Sequence, residues 1–546
     1  MRNKLEAEDG GEGRDGRGEW AVAGVAFLAA ALVATAVKWS ELGVRFYAKV
    51  VPFFDSLSYQ ENFAVTAARS EAVGGLQALG ETWLASGNNV VLYRFFAAAW
   101  GGVLPASEAG LYVYLGLVHV AGAVVLGLVT WRVTGATWAG LLAVAAWYLA
   151  EPFWAVREGV LDQRMDLASA SFYLMLAATA LAWAREPSRR CAGGVGMILA
   201  LAVLHRPVMA LSALAVVALF AIRAWRRHER TRGAWWRDVL WMGAPGLVLA
   251  LPWMLAHAGE LYHYYVVANV DVGSASSVVE AAIYNGRNFM RAFGEGYAVV
   301  LAVGVGLVAL TRRLDWGDVA VVLLATLMPL LLLTLSRSTG NHLVCQLSLG
   351  VPALLLACGR ARGELGWERI GGVMVAMVVL SGVLVGSIRE LSAGVDAESS
   401  QLRSEAEGVV RQIAERKAGA RVATFHNAPV NAFALQRVAR GIGVELNVGT
   451  LAYHPHHFGI PNDRAEALPE EELAEALRRT VERVWSADDF LMLPAADAQD
   501  RLLEQPYSHR VIPVLRTLVE KDGRFVLAGR VGPMEGIEFD LFSIVR

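Results

Sequence analysis

The sequence predicts an α-helical multispanning membrane domain of about eleven transmembrane helices, followed by a soluble α/β domain. Three observations predict it. Hydrophobic residues make up 55% of the 546 and charged residues only 18%, the balance of a membrane protein with a polar remainder. Apolar stretches of spanning length recur between residues 20 and 388, where a bilayer core of about 30 Å calls for about 20 apolar residues per helix. From about Leu391 the composition turns polar, and short apolar runs alternate with amphipathic ones, which argues for an α/β layer.

The chain opens on 19 residues rich in Gly, Arg, Glu and Asp, read as a disordered cytoplasmic tail. The span 20–37 follows without a clear small-residue cleavage site, so it is expected to be a retained helix. Further spans are predicted at 109–130, 134–150, 167–184, 191–205, 207–225, 239–256, 295–310, 319–335, 343–358 and 370–388. The stretch 191–225 decides their parity. As one helix it would be about 52 Å long, far beyond the hydrocarbon thickness, and His205-Arg206-Pro207 interrupts it with two polar groups and a helix breaker. It reads as a tight hairpin of two spans.

With that hairpin and a cytoplasmic N-terminus, the short loops 131–133, 185–190, 226–238, 311–318 and 359–369 face the cytoplasm and carry about fourteen Arg. The opposite short loops, 151–166, 205–206, 257–294 and 336–342, carry about six. The positive-inside bias is satisfied. The first loop, 38–108, is then extracytoplasmic, as is everything after Ile388.

The outer loops hold the candidate site residues. The first contains FFDSLSYQ, with Asp55 just beyond the first span and Tyr59 one helical turn later, and two amphipathic stretches near 57–70 and 88–102. The second, EPFWAVREGVLDQRMD, places Glu158, Asp162 and Asp166 on one helical face with Arg157 and Arg164 among them. The third is the hairpin tip, His205-Arg206. The fourth holds His257, Glu260 and several Tyr, which suit an interfacial belt. The fifth, SRSTGNHL, carries Arg337 and His342. Each has a structural reading: Asp55 as a helix cap, the acidic loop as a solvated helix with internal ion pairs, the cations as interfacial anchors. Together they separate carboxylates on the first two loops from cations on the third and fifth. Group transfer from a phosphate leaving group needs both, a base for the incoming hydroxyl and positive charge for the departing phosphate.

These stretches resemble the GT-C glycosyltransferases, multispanning enzymes that use polyprenyl- or dolichyl-phosphate sugars. The resemblance covers about 20–388 and rests on FFDSLSYQ, on GMILALAVLHRPVMAL with its basic tip, on LDQRMD, and on RSTGNHLVCQLSLGVPALLL. It implies Asp55 as catalytic base, Arg337 or His342 near the donor phosphate, and Arg206 at the tip; His205, Tyr59 and Arg164, from the same loops, are expected as further substrate contacts. Many members carry two acids together in the first loop, whereas here Ser56 follows Asp55. A divalent cation would therefore call on Asp162 or Asp166.

The soluble domain, 389–546, is expected to have a helix through Leu402, Ala406, Val409 and Ile413 and a strand at 421–425. A helix at 429–441, a strand at 444–448, the helix PEEELAEALRRTVERVW and a strand at 490–493 follow. Strands at 510–515, 525–530 and 539–544 would complete a sheet ending antiparallel. YHPHHF, with His454, His456 and His457, is a Pro-broken loop without a nearby Cys, a poor metal tract. The three cysteines, Cys191, Cys345 and Cys358, lie in or beside apolar spans, so neither a disulfide framework nor a Cys-based zinc site is expected.

The expected function is a glycosyltransferase of the inner or plasma membrane that moves a sugar from a polyprenyl-phosphate donor to a lipid, glycan or protein hydroxyl on the extracytoplasmic face. A net charge of −2 gives no sign of a nucleic-acid partner. The rival is a lipid or polysaccharide transporter or flippase, which calls for charged residues lining a path inside the spans. A structural subunit with a degenerate site is the third reading.

Overall fold

The computed structural model describes residues 15–49, 55–84, 91–104, 109–149, 165–227, 232–262, 277–293, 295–311, 313–335, 350–360, 397–424, 432–451, 468–497, 508–534 and 536–546. The chain forms two compact units. One takes in Met1–Glu41, Phe63–Tyr262 and Gly273–Ser392, and the other Leu42–Asn62, His263–Val272 and Ala393–Arg546.

Among the described residues the chain up to Leu335 is mainly helical. Its helices are α1 (Asp15–Lys49), α2 (Asp55–Val73), α3 (Gly75–Leu84), α4 (Val91–Gly101), α5 (Ala109–Thr134), α6 (Thr137–Leu149), α7 (Met165–Arg185), α8 (Arg189–His205), α9 (Ala210–Arg227), α10 (Arg232–Pro245), α11 (Leu251–Ala256), α12 (Ala258–Tyr262), α13 (Val278–Phe293), α14 (Glu295–Thr311) and α15 (Trp316–Leu335). The end of α1 and the start of α2 fall in the second unit's share of it. Three described segments, Glu19–Ala36, Gly110–Thr134 and Trp235–Ala256, are long and apolar enough to cross a membrane. Shorter apolar helices run over Thr137–Leu149, Tyr297–Leu310 and Trp316–Leu332. Residues 370–388, expected as the last span, lie outside the described residues.

The first span's helix is longer than its apolar stretch and runs on to Lys49. Among its described residues the first loop holds α2, α3 and α4 where two helices were expected, because Gly74 adopts a positive φ of 90° and divides α2 from α3. The described part of the span expected at 343–358 is a buried 3₁₀ segment, Val351–Cys358. Along α10, the π-helical turn Gly246–Ala250 and α11, large apolar side chains such as Trp236, Leu240, Leu247, Val248 and Leu255 are exposed. Apolar surface of this extent suits lipid rather than water.

The hairpin expected at 191–225 is present. At Arg206 the backbone opens to φ −150°, ψ 100°, which the following Pro207 favours, and a 3₁₀ turn over Pro207–Met209 leads into α9. His205, at the end of α8, meets Tyr114 near the start of α5 and Phe172 near the start of α7. Arg223, near the end of α9, lies with the end of α7 on Asp318. The chain therefore goes out along α8 and returns along α9.

Contacts at the far end gather the basic loops. Arg132 lies 4.8 Å above the Trp20 ring and pairs with Glu186. Arg185 and Arg223 converge on Asp318. The two-residue strands β1 (Arg313–Leu314) and β2 (Gly359–Arg360) pair antiparallel beside them. All five basic loops expected to share one side of the membrane thus have described residues at one end of the helical unit.

The second unit carries helices α16 (Ala397–Arg416), α17 (Ala432–Gly441), α18 (Glu470–Ala487) and α19 (Ser508–Lys521). Its five-stranded sheet is formed by β3 (Arg421–Thr424), β4 (Asn447–Thr450), β5 (Phe490–Pro494), β6 (Phe525–Met534) and β7 (Ile537–Ile544). The order is β4-β3-β5-β7-β6. β4 and β5 pair parallel with β3, and β7 and β6 complete the sheet antiparallel, as expected.

Alternate strand residues feed two cores. Val422, Met492 and Leu541 join Val409 and Ile413 of α16, while Ala423, Leu491 and Phe542 join α18 and α19. The strand expected at 510–515 is helical. Val511, Ile512, Leu515 and Val519 are all buried, and that spacing continues the helical period beyond the short apolar run on which the strand was read. The β6 edge is covered by Gln412 of α16, whose amide both donates to the Gly532 carbonyl and accepts from the Gly532 N–H, at 3.2 Å each.

Candidate functional site

Among the described residues of the loops expected outside, the hairpin tip carries a defined polar constellation. His205 is fully buried. Its Nδ1 lies 2.8 Å from the Tyr114 hydroxyl, in a bond whose donor is set by the His tautomer. The Phe172 and Tyr114 rings flank the imidazole at 5.1 and 6.0 Å. Arg206, the next residue, is half-buried and anchors its N–H on the Ala202 carbonyl at 2.9 Å. His205 was expected to contact substrate together with Arg206. His205 is enclosed, and Arg206 is the more exposed of the two.

An aromatic line runs outward from this tip. Tyr114 packs on Phe96 of α4 at 5.3 Å, and Phe96 on Phe63 of α2 at 6.4 Å and on Trp100 at 6.1 Å. Glycines set the close approach. A Cβ on Gly110 would fall 2.6 Å from the Phe63 ring, and one on Gly101 would fall 2.1 Å from the Ala67 carbonyl oxygen. Ser70 Oγ donates to the Ala98 carbonyl at 2.5 Å, a second tie between α2 and α4.

On α4, half-buried Arg94 donates from Nε to the buried Tyr93 hydroxyl at 3.4 Å. Sequence reasoning missed Tyr93, Arg94 and Tyr114. The only signal was a lone Arg in an amphipathic stretch and a Tyr in the second turn of an apolar span. His257, from the fourth outer loop, shares a hydrogen bond with the Trp83 carbonyl of α3 at 3.2 Å, and Trp83 stacks on Phe95 at 5.8 Å.

The other expected residues are placed as follows. Asp55 is the first residue of α2, and Tyr59 lies on the same helix eight and four residues respectively before Phe63. Asp166 is the second residue of α7. The side chains of these three lie outside the described residues, as do Asp162, Arg164, Arg337, His342 and the histidines of YHPHHF. Among the described residues no three His, Cys, Asp or Glu side chains gather closely enough to hold a metal ion.

Ionisable groups inside the helical unit are concentrated near its ends. Arg185, Arg223, Arg227, Asp315 and Asp318 form one network, and His205 and His257 lie at the other end. Within a span, His119 is enclosed between Trp147 and Tyr148, with centroids 5.1 and 4.9 Å away.

No protein-family model matches the chain, and no curated relative does. Solved structures do match. ArnT from Cupriavidus metallidurans, a GT-C glycosyltransferase, aligns over 96% of this chain and 98% of its own at 12% identity, with a TM-score of 0.57 for the form bound to undecaprenyl phosphate. The apo form gives the same coverage and identity with a TM-score of 0.55. The mycobacterial arabinofuranosyltransferase AftD aligns over 95% of this chain and 41% of its own at 15% identity, with a TM-score of 0.47, too low to bear on the fold. At such identities a likeness speaks for architecture alone, and on that ground the chain has the GT-C fold.

Proposed function

We propose that the protein is an integral membrane glycosyltransferase that transfers a sugar from a polyprenyl-phosphate donor to a hydroxyl acceptor on the extracytoplasmic face. The observation that carries this is the near full-length likeness to a protein crystallised with undecaprenyl phosphate. The aromatic framework around the Arg206 tip supports it. Asp55 accepts the acceptor's hydroxyl proton as the oxygen attacks the anomeric carbon. The bond from that carbon to the phosphate oxygen breaks, and the polyprenyl phosphate leaves with one more negative charge. Arg206, with Arg337 and His342, stabilises that charge, and Arg94 adds a cation on the first outer loop. Tyr59 and Arg164 line the substrate path. The eleven-span count and the extracytoplasmic C-terminal unit belong to this reading.

The test is release of polyprenyl phosphate from a sugar-loaded carrier by the purified full-length protein. Release with wild type and its loss in Asp55→Asn, at equal protein level, is the expected result. An intact sugar–phosphate bond in wild type would support the transporter reading, and unchanged turnover in the variant would remove Asp55 from the chemistry.

A further inference from the structure

The residue before the tip's cation is hydrogen-bonded to a residue 91 positions away in sequence. Arg206 sits at a break in the helix: its backbone is extended, Pro207 withholds an N–H, and α9 does not start until Ala210. Such a joint has fewer backbone hydrogen bonds to hold it than the helices on either side. The Arg206 N–H donates to the Ala202 carbonyl and its C=O accepts from the Met209 N–H, both within the hairpin, and the side chain before it adds a tie to other helices. The His205 ring packs at a tilt against Phe172 and Tyr114, and its Nδ1 shares a hydrogen bond with the Tyr114 hydroxyl. Tyr114 is itself fixed by Phe96, which packs on Phe63 of the helix that opens at Asp55.

We propose that Tyr114 is a positioning residue for the carrier's phosphate: its hydroxyl holds the His205 ring, and through it the Arg206 backbone, so that the Arg206 guanidinium meets the lipid phosphate in a fixed orientation. This rests on the reading of Arg206 as a phosphate contact. Tyr114 does not touch the lipid. Its effect passes through Arg206, and removing its hydroxyl leaves the ring, and hence the packing on Phe96, in place.

The experiment measures binding of undecaprenyl phosphate to the full-length protein in nanodiscs for Tyr114→Phe, Arg206→Ala, the double variant, and Tyr173→Phe. Tyr173 donates to the Ala325 carbonyl at 3.0 Å, so its variant loses a buried tyrosine hydrogen bond elsewhere in the unit. Losing one such bond at the tip is expected to weaken binding by about twofold to tenfold. Arg206→Ala weakens it further, and the double variant is no weaker than Arg206→Ala alone, because Tyr114 acts only through that side chain. Tyr173→Phe leaves binding unchanged even where its melting temperature falls as far as that of Tyr114→Phe. Unchanged binding in Tyr114→Phe, or effects of the two tip variants that simply add, would overturn the role of Tyr114 while leaving Arg206 intact. Unchanged binding in Arg206→Ala would overturn the phosphate contact and this inference with it.

Discussion

Arg185 donates from Nε to Asp318 Oδ2 at 2.6 Å, joining the end of α7 to the first turn of α15. Arg223 takes the other Asp318 oxygen at 2.8 Å and reaches Asp315 at 2.6 Å, and Arg185 also donates to the Gly359 carbonyl at 3.2 Å. Asp315 in turn accepts from the N–H groups of Gly317 and Asp318, capping α15. One buried carboxylate thus holds three helices at the end where the basic loops gather.

Asp318→Ala is expected to be among the most destabilising single changes in the helical unit. Asp318 is fully buried and Arg185 nearly so, and removing one partner strands the other charge. Such losses run to about 3–5 kcal/mol. Thermal unfolding in detergent, followed by Trp fluorescence, should show a lower midpoint or no folded protein.

Close helix approach gives a second prediction. Gly101→Ala places a methyl 2.1 Å from the Ala67 carbonyl oxygen, so α2 and α4 must part. Overpacking of this kind costs about 1–3 kcal/mol. Gly80→Ala, where a Cβ meets nothing within 4 Å, is its control and should leave stability unchanged or slightly raised. Protease susceptibility of the first loop reads the difference.

In the second unit two adjacent acids are expected to respond oppositely. Burial works against ionisation of Asp489, but the Lys417 ammonium at 2.8 Å and the Arg421 N–H at 2.9 Å outweigh it and hold the carboxyl below its ordinary value. Its contribution is full above the unfolded value of about 3.9 and fades as pH falls through the lower folded one. Asp488 is pushed up, by burial and then by the Asp489 charge, so it favours the folded state when protonated and loses that contribution as pH rises. It also ends α18, where a negative charge opposes the helix dipole. At pH 7, Asp489→Asn should speed hydrogen exchange in β5 by a loss of about 1 kcal/mol, and Asp488→Asn should slow it.

Sidedness is open to direct test. A phosphatase fused after Arg546 should be active and one fused after Arg227 inactive, with the reverse for a fluorescent reporter that matures only in the cytoplasm. An inactive C-terminal phosphatase would turn the proposed site to the cytoplasm and remove the lipid-carried donor from consideration.

The sequence alone determined what local pattern encodes. Apolar runs gave the helical unit, His205-Arg206-Pro207 gave the break between α8 and α9, and the arginine-rich loops gave a common end, because burial length, helix breaking and charge placement are written in neighbouring residues. The five-residue apolar run 511–515 did not distinguish strand from helix at 510–515, where the longer period of α19 prevailed. Only the tertiary structure decided that His205 is enclosed beside Tyr114 and that Arg185 meets Asp318. Those partners stand 91 and 133 residues apart, and side chains so separated are matched by packing of the folded helices rather than by any pattern along the chain.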